Sequence, residues 1–205
     1  LNALDSDEAS KNKPTSGQLT LTLGQQQLDE GGCVQCDFSY ADLSDRDLSR
    51  ADLQQSNFSH TNLTKTFLIN AILDRATLHQ TNLFQANLRG ADLIGVDLNA
   101  TNLTDAQLLQ VSLTEAQIDN TSFEQSDLRD ADLSFATIEN SNFSGATLYG
   151  AVLRQTKLSN VDFSGADLQY ADFSDAELEN VNFENAKLRF AIMPDGTGYH
   201  GVAPY

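Results

Sequence analysis

Between residues 36 and 193 a large apolar residue occurs at every fifth position. From Phe38 to Leu188 these positions hold only Leu, Phe or Ile, and Met193 keeps the spacing. A small residue lies two positions before almost every large one, and Arg46 departs from this pattern. On an α-helix or a flat β-strand, a period of five would spread the apolar side chains over all sides. The chain must therefore turn a corner every five residues, which predicts a solenoid with both residues inside.

The number of corners in each coil follows from residues that recur in columns. Four pairs of Phe lie 20 residues apart at the large positions, and none lies 15 or 25 apart. Leu occupies one complete 20-residue column, from Leu48 to Leu188. The sequence therefore predicts four sides per coil and roughly eight coils, stacked about 4.8 Å apart.

Several five-residue units share one motif, namely ADLSD (41–45), ANLRG (86–90), ADLSF (131–135) and ADLQY (166–170). This motif resembles the A(D/N)LXX unit of the pentapeptide repeat proteins, which are abundant in cyanobacteria and chloroplasts. The resemblance implies an all-β fold, a right-handed four-sided parallel β-helix. It implies little about function, since most members of that family have no known activity.

The predicted organisation has four parts. Residues 1–17 are polar and without periodicity, so we expect a flexible N-terminal arm. Residues 18–35 contain the alternating Leu19, Leu21 and Leu23, which indicate a strand that caps the open end of the solenoid. The β-helix follows over 36–193. Residues 194–205 begin with Pro-Asp-Gly, which breaks the coil and predicts a closing tail.

The chain is strongly acidic, with a formal net charge of −17 at pH 7. Within residues 36–193 there are 23 acidic and 10 basic residues. Such a surface repels nucleic acid and anionic membranes. No run of 18 apolar residues exists, so we expect no membrane insertion. The tail is too short for a dimerising helix, and we expect a monomer.

Cys33 and Cys36 form an isolated C-x-x-C motif. Three interpretations are open: two buried, apolar-behaving cysteines, a structural disulfide, and a redox or metal site. A second cysteine pair and a nearby histidine in sequence are both missing, which disfavours a metal site. The register points both side chains into one corner, and we predict a disulfide between them. A disulfide implies an oxidising compartment.

The sequence contains no motif for a nucleophile elbow, a phosphate loop or a dinucleotide site. His60 and His79 are predicted to lie on adjacent coils at one corner, without a carboxylate in their columns. We therefore predict no catalytic residue, no bound cofactor and no metal site, and we expect that the protein is not an enzyme.

Aromatic residues at outward positions mark a possible binding patch. Tyr149, Tyr170 and Phe190 are predicted to lie around one corner of the last coils, with Arg189 and Arg129 nearby. They either stack on one another or lie under the C-terminal tail, or they dock a protein partner.

Two functions are compatible with these observations. The first is a non-catalytic structural or protein-interaction rod with an unknown protein partner. The second is an acidic DNA mimic that binds a DNA-handling enzyme such as gyrase, as the resemblance to quinolone-resistance pentapeptide proteins implies. Because the sequence begins with Leu1 and lacks a signal-like apolar stretch, we expect either a processed or a trimmed chain. A processed chain would reside in the thylakoid lumen or periplasm, and the alternative is the cytoplasm.

Overall fold

A computed structural model describes Leu28 and residues 31–199. In this part of the chain the backbone forms a right-handed coil, and each segment pairs in parallel with the segment 20 residues later. The bridges run from Gly32–Asp52 at one end to Asp172–Ile192 at the other. At about 4.8 Å per coil, the resulting eight or so coils give a rod roughly 38 Å long. The predicted all-β, right-handed four-sided parallel β-helix is confirmed.

Each coil has four sides of five residues, which we call faces one to four. We number the positions of each unit from its large inward residue, i, so that the unit spans i−2 to i+2. The inward residues that define the faces recur every 20 positions: Phe38 to Leu178 on face one, Leu43 to Phe183 on face two, Leu48 to Leu188 on face three, and Leu53 to Met193 on face four.

The core is a continuous column of the residues at i and i−2. Every large residue from Phe38 to Phe173 is at most 4% exposed. On face two the rings of Phe123, Phe143 and Phe163 stack in sequence, with centroids 4.5 and 5.0 Å apart. Each fully buried side chain of this size contributes about 1.5–3 kcal/mol. The stacking of like residues in columns explains why the 20-residue period is visible in the sequence.

The chain turns each corner through a residue with positive φ at i+2. This holds at every i+2 position from Gln35 to Phe190. The carbonyl oxygen of residue i accepts a hydrogen bond from the backbone N–H of the first residue of the next unit. Ala41 N, for example, donates to Phe38 O at 3.0 Å, which makes a type II turn. Only five of these residues are glycine, namely Gly90, Gly95, Gly145, Gly150 and Gly165. The others accept the left-handed conformation because the coil fixes the residues on both sides of them.

Asp or Asn at i−1 stabilises the turn that follows it. Asp42 Oδ1 accepts a hydrogen bond from Ser44 N at 3.1 Å, closing an Asx turn. The next coil adds a second bond, because Asn62 Nδ2 donates to the same oxygen at 2.9 Å. The same amide-to-oxygen bond joins Asn102 to Asn82 at 3.0 Å. The outward Asp and Asn columns therefore support the backbone of the rod.

Regular strands occur on face one. They are β1 (Gln117–Asp119), β2 (Thr137–Glu139), β3 (Lys157–Ser159) and β4 (Glu177–Glu179). These strands form one parallel sheet in the order β1-β2-β3-β4. Ile118 pairs with Ile138, and Leu158 pairs with Leu178, so residues 20 apart are in register. On the other faces the pairing consists of single bridges between the turns.

Arg46 is the exception inside the rod. It occupies an inward i−2 position on face three, in the first full coil. Its Nη1 atom is buried, and within the described residues it has no hydrogen-bond partner. Elsewhere the buried polar groups at i−2 are satisfied, as where Thr61 Oγ1 donates to Phe38 O at 2.7 Å. A buried guanidinium N–H without an acceptor costs free energy, so Arg46 weakens this end of the rod.

The two ends differ in how much of them is described. The predicted arm at 1–17 and two thirds of the predicted cap at 18–35 lie outside the described residues. The parallel bridges begin at Gly32, and buried Leu28 belongs to the core cluster. At the other end Ile192 pairs antiparallel with Gly198, and Met193 N donates to Thr197 O at 2.7 Å. The chain thus folds back over the last coil as far as residue 199.

Candidate protein-interaction face

The four faces differ in charge. Over residues 36–193, faces one and two each carry six acidic residues and one basic residue at outward positions, and face four carries seven and two. Each of these faces therefore has a net charge of −5. Face three has a net charge of +1, from four acidic residues (Asp47, Asp127, Asp130 and Asp167) and five basic ones (Arg50, Arg89, Arg129, Lys187 and Arg189).

Two of the five cations on face three are paired with carboxylates of the same face. Arg129 donates to both oxygens of Asp127, through Nε at 2.8 Å and Nη2 at 2.7 Å. These bonds hold the pKa of Asp127 below its ordinary value. Lys187 Nζ lies 3.2 Å from Asp167 Oδ2. Within the described residues, Arg50, Arg89 and Arg189 make no ion pair.

Three stacked aromatic residues from two neighbouring columns lie at the C-terminal end of face three. The rings of Tyr149 and Tyr170 have centroids 5.1 Å apart, and those of Tyr170 and Phe190 are 4.9 Å apart. Arg189 adds a cation–π contact, with its Cζ 4.5 Å from the centre of the Phe190 ring. In spite of this stacking, the three aromatic residues remain 42%, 49% and 51% exposed. Stacking therefore covers only part of their apolar surface.

Four of the five residues of the predicted patch are in contact. Tyr149, Tyr170, Phe190 and Arg189 form one contact chain over three successive coils. Arg129 lies one coil before Tyr149 in the same column, where it is paired with Asp127. The tail beyond residue 199 lies outside the described residues.

A shallow groove lies farther along the same face, and the aromatic pattern alone does not reveal it. Its volume is about 350 Å³, and it is lined by Ile69, Asn70, Arg89, Gly90, Leu109 and Gln110. The signal was present in the sequence, because the i+1 column of face three reads Ile69, Arg89, Leu109, Arg129 and Tyr149 at 20-residue spacing. Apolar and cationic residues alternate along this column, and we call it the face-three strip.

Gly90 is part of the groove lining. It lies at an i+2 corner with φ of +65°, and a Cβ atom added there would overlap Asn70 Oδ1. Any larger residue would displace the Asn70 side chain. Glycine thus serves both the turn and the shape of the surface beside Arg89.

His60 and His79 lie toward the N-terminal end of face one. The His60 ring stacks on Tyr40, with centroids 4.6 Å apart, and its centroid is 6.2 Å from that of His79. Within the described part of the chain, no group of three or more His, Cys, Asp or Glu residues could hold a metal ion. A second shallow pocket on face one places Lys157 among Glu139, Glu177 and Glu179. The described residues include no helix that is long and apolar enough to cross a membrane.

Cys33 and Cys36 lie at the first described corner. Their sulfurs are bonded in the structure, and their Cα atoms are 5.6 Å apart. This separation lies within the range that a disulfide requires. Cys33 N also donates to Asp52 O at 2.6 Å, so the corner is tied to the next coil.

Family models match most of the β-helix. The model for pentapeptide repeats (8 copies) matches residues 36–75, 51–90 and 91–130, and the model for a pentapeptide repeat region matches 116–191. The chain belongs to the pentapeptide repeat family. A search of curated proteins found no match. Proteins of this family are generally structural or interaction proteins.

Solved structures of other pentapeptide repeat proteins are similar to this chain. HetL, involved in heterocyst differentiation regulation in the cyanobacterium Nostoc sp. strain PCC 7120, is 26% identical over 91% of this chain and 100% of its own, with a TM-score of 0.34. A protein from the Arabidopsis thaliana thylakoid lumen is 32% identical over 46% of this chain and 66% of its own, with a TM-score of 0.46. Full-length QnrB1, a plasmid-mediated fluoroquinolone resistance protein, is 17% identical over 73% of this chain and 80% of its own, with a TM-score of 0.37.

Proposed function

We propose that this pentapeptide repeat protein is a non-catalytic rod that binds a protein partner through face three. The observation that carries the proposal is the coincidence of two features on one face. Face three alone is not acidic, and it also carries the exposed aromatic residues Tyr149, Tyr170 and Phe190. Exposed contiguous aromatic surface is characteristic of interaction sites, and Tyr and Arg are enriched among the residues that dominate binding energy.

The state of the outward carboxylates supports a role without catalysis. Hydrogen bonds from the side chain and backbone of Ser44 hold the pKa of Asp42 below its ordinary value. Ser39 and Ser49 have the same effect on the pKa of Asp37 and Asp47. A general acid or base near neutral pH needs a pKa shifted in the opposite direction. These carboxylates serve the turns of the rod rather than proton transfer.

The test compares partner capture by two variants that each lose exposed aromatic residues. Combined replacement of Tyr149, Tyr170 and Phe190 by Ser should abolish cross-linking to a partner in extracts of the source organism. The control replaces Tyr40 on face one and Phe135 on face four, which are 76% and 54% exposed. We expect the control to retain capture and both variants to keep the circular dichroism spectrum of the wild type. Capture that survives the triple replacement would contradict the proposal.

The acidic DNA mimic is the second candidate, and the three faces with a net charge of −5 favour it. A gyrase supercoiling assay separates the two functions. The interaction-rod proposal predicts no inhibition of supercoiling by the purified protein. Inhibition that persists after the aromatic replacements on face three would favour the mimic, acting through its acidic faces.

We also propose that the protein works in an oxidising compartment, the thylakoid lumen or the periplasm. The Cys33–Cys36 pair supports this location, because disulfides persist in such compartments. Alkylation of freshly isolated protein without reductant, followed by mass measurement, tests it. We expect neither cysteine to be alkylated, whereas two alkylated thiols would argue for the cytoplasm.

A further inference from the structure

The groove in the face-three strip has the lining of a binding site for a peptide segment. Its apolar side chains, Ile69 and Leu109, lie two coils apart, which corresponds to about 9.6 Å along the rod. Arg89 lies between them and is exposed. Both apolar residues are only half-buried, so their outer surfaces are available to a partner.

The charge of the groove selects the partner. Arg89 has no ion pair within the described residues, and Asp127, two coils away on the same face, is bound by Arg129. A guanidinium group with five donors in a fixed plane fits a carboxylate through two parallel hydrogen bonds. The unpaired arginines Arg50 and Arg189 extend the positive potential to both ends of the same face.

Nucleic acid fits this surface poorly, although it is also an anion. A duplex or single strand long enough to contact Arg50, Arg89 and Arg189 would bring many phosphates near the flanking faces, which each carry a net charge of −5. A short segment of protein can instead place one or two carboxylates at Arg89 and direct the rest of its chain along the strip.

We propose that the face-three strip binds an acidic protein segment, whose carboxylates pair with Arg89 and whose apolar side chains pack on Ile69 and Leu109. This inference rests on the proposed function, since it specifies the partner for the same face. Net charge alone predicts the opposite preference, because a chain with a charge of −17 attracts basic peptides. The two expectations can therefore be separated with simple probes.

The experiment is an NMR titration of the isotope-labelled chain with three synthetic 12-residue peptides. The first peptide contains Glu, Leu and Gly, the second has Lys in place of each Glu, and the third has Ser in place of each Leu. We expect the first peptide to shift the backbone amides of 69–70, 89–90 and 109–110, and the other two to leave these amides unchanged. Arg89→Ser should weaken the binding of the first peptide by at least about tenfold, because the charge-assisted hydrogen bonds between Arg89 and the peptide carboxylate are lost.

The matched control is Lys65→Ser, which removes one exposed cation from face two. We expect it to leave the affinity unchanged. An equal loss in both variants, or no shift with the first peptide, would overturn the inference. Sedimentation velocity is measured in parallel, and oligomers that disappear in Arg89→Ser would assign the strip to a second copy of this chain instead. Failure of the peptide alongside face-three-specific cross-linking in extracts would overturn this inference and leave the proposed function standing.

Discussion

The phenylalanine column on face two allows the stability of the rod to be tested at one residue. Phe143 is completely buried and lies between the rings of Phe123 and Phe163, at 4.5 and 5.0 Å. A Phe→Ala substitution in a core costs about 3–5 kcal/mol. Since two ring pairs worth about 0.5–1.5 kcal/mol each are also lost, we expect Phe143→Ala to fall at the upper end of that range.

Two controls separate the loss of buried packing from the loss of an aromatic ring. Phe143→Leu restores the commonest large residue of the repeat and should cost less than about 1.5 kcal/mol. Phe67→Ala removes a ring that is 46% exposed on face three, and it should cost clearly less than Phe143→Ala. Urea unfolding followed by circular dichroism gives the free energy of unfolding of each variant. If Phe143→Ala and Phe67→Ala cost the same, a continuous stacked core cannot be the main source of stability.

Three further predictions concern phase, burial and pH. One residue inserted after Ala100 shifts every later unit by one position and turns Leu side chains outward. The thermal midpoint should therefore fall by more than in a core Leu→Ala variant, and an unchanged midpoint would contradict the solenoid register. Arg46→Ala restores the small inward residue and removes a buried donor without an acceptor among the described residues. Thermal melts should therefore show a stabilisation of about 1 kcal/mol. A loss of stability would show that Arg46 pairs with an acceptor outside the described residues. Burial raises the pKa of Asp172, but hydrogen bonds from Ser174 and Arg154 outweigh it and bring the pKa below the ordinary value of 3.8. Asp172→Asn should therefore be less stable than the wild type at pH 7, by about 1–2 kcal/mol. This difference in stability should shrink as the pH falls through the lowered pKa of Asp172 in the folded state. The same difference in melts at pH 7 and pH 2 would refute the role of the charge.

The fold could be predicted from the sequence because the same inward position recurs in every unit. Each large residue meets its counterpart 20 positions later, so the sequence alone indicates the Leu48–Leu188 column and the Phe123–Phe163 stack. Turn geometry was harder to predict. Residues such as Tyr40 and Phe135 adopt positive φ, which their residue types do not favour, because the coils on either side fix the backbone.

The candidate site was predictable only in part. Folding the sequence at 20 residues per coil brings Tyr149, Tyr170 and Phe190 together, as the structure does. It does not show which cations are already neutralised, since the pairing of Arg129 with Asp127 depends on side-chain conformation. The groove beside Arg89 likewise depends on the Asn70 side chain lying against Gly90.

Photo-cross-linking from each face of a single coil is the most direct test of whether a protein partner binds face three. Asn99, Thr104, Leu109 and Thr114 occupy the i+1 positions of faces one, two, three and four in one circuit of the rod. A benzophenone amino acid introduced at each position, one at a time, is irradiated in an extract of the source organism. If the partner binds face three, position 109 gives a specific adduct and positions 99, 104 and 114 give none. Adducts of equal yield from all four positions, or an adduct from any other face without one from 109, would contradict binding through face three.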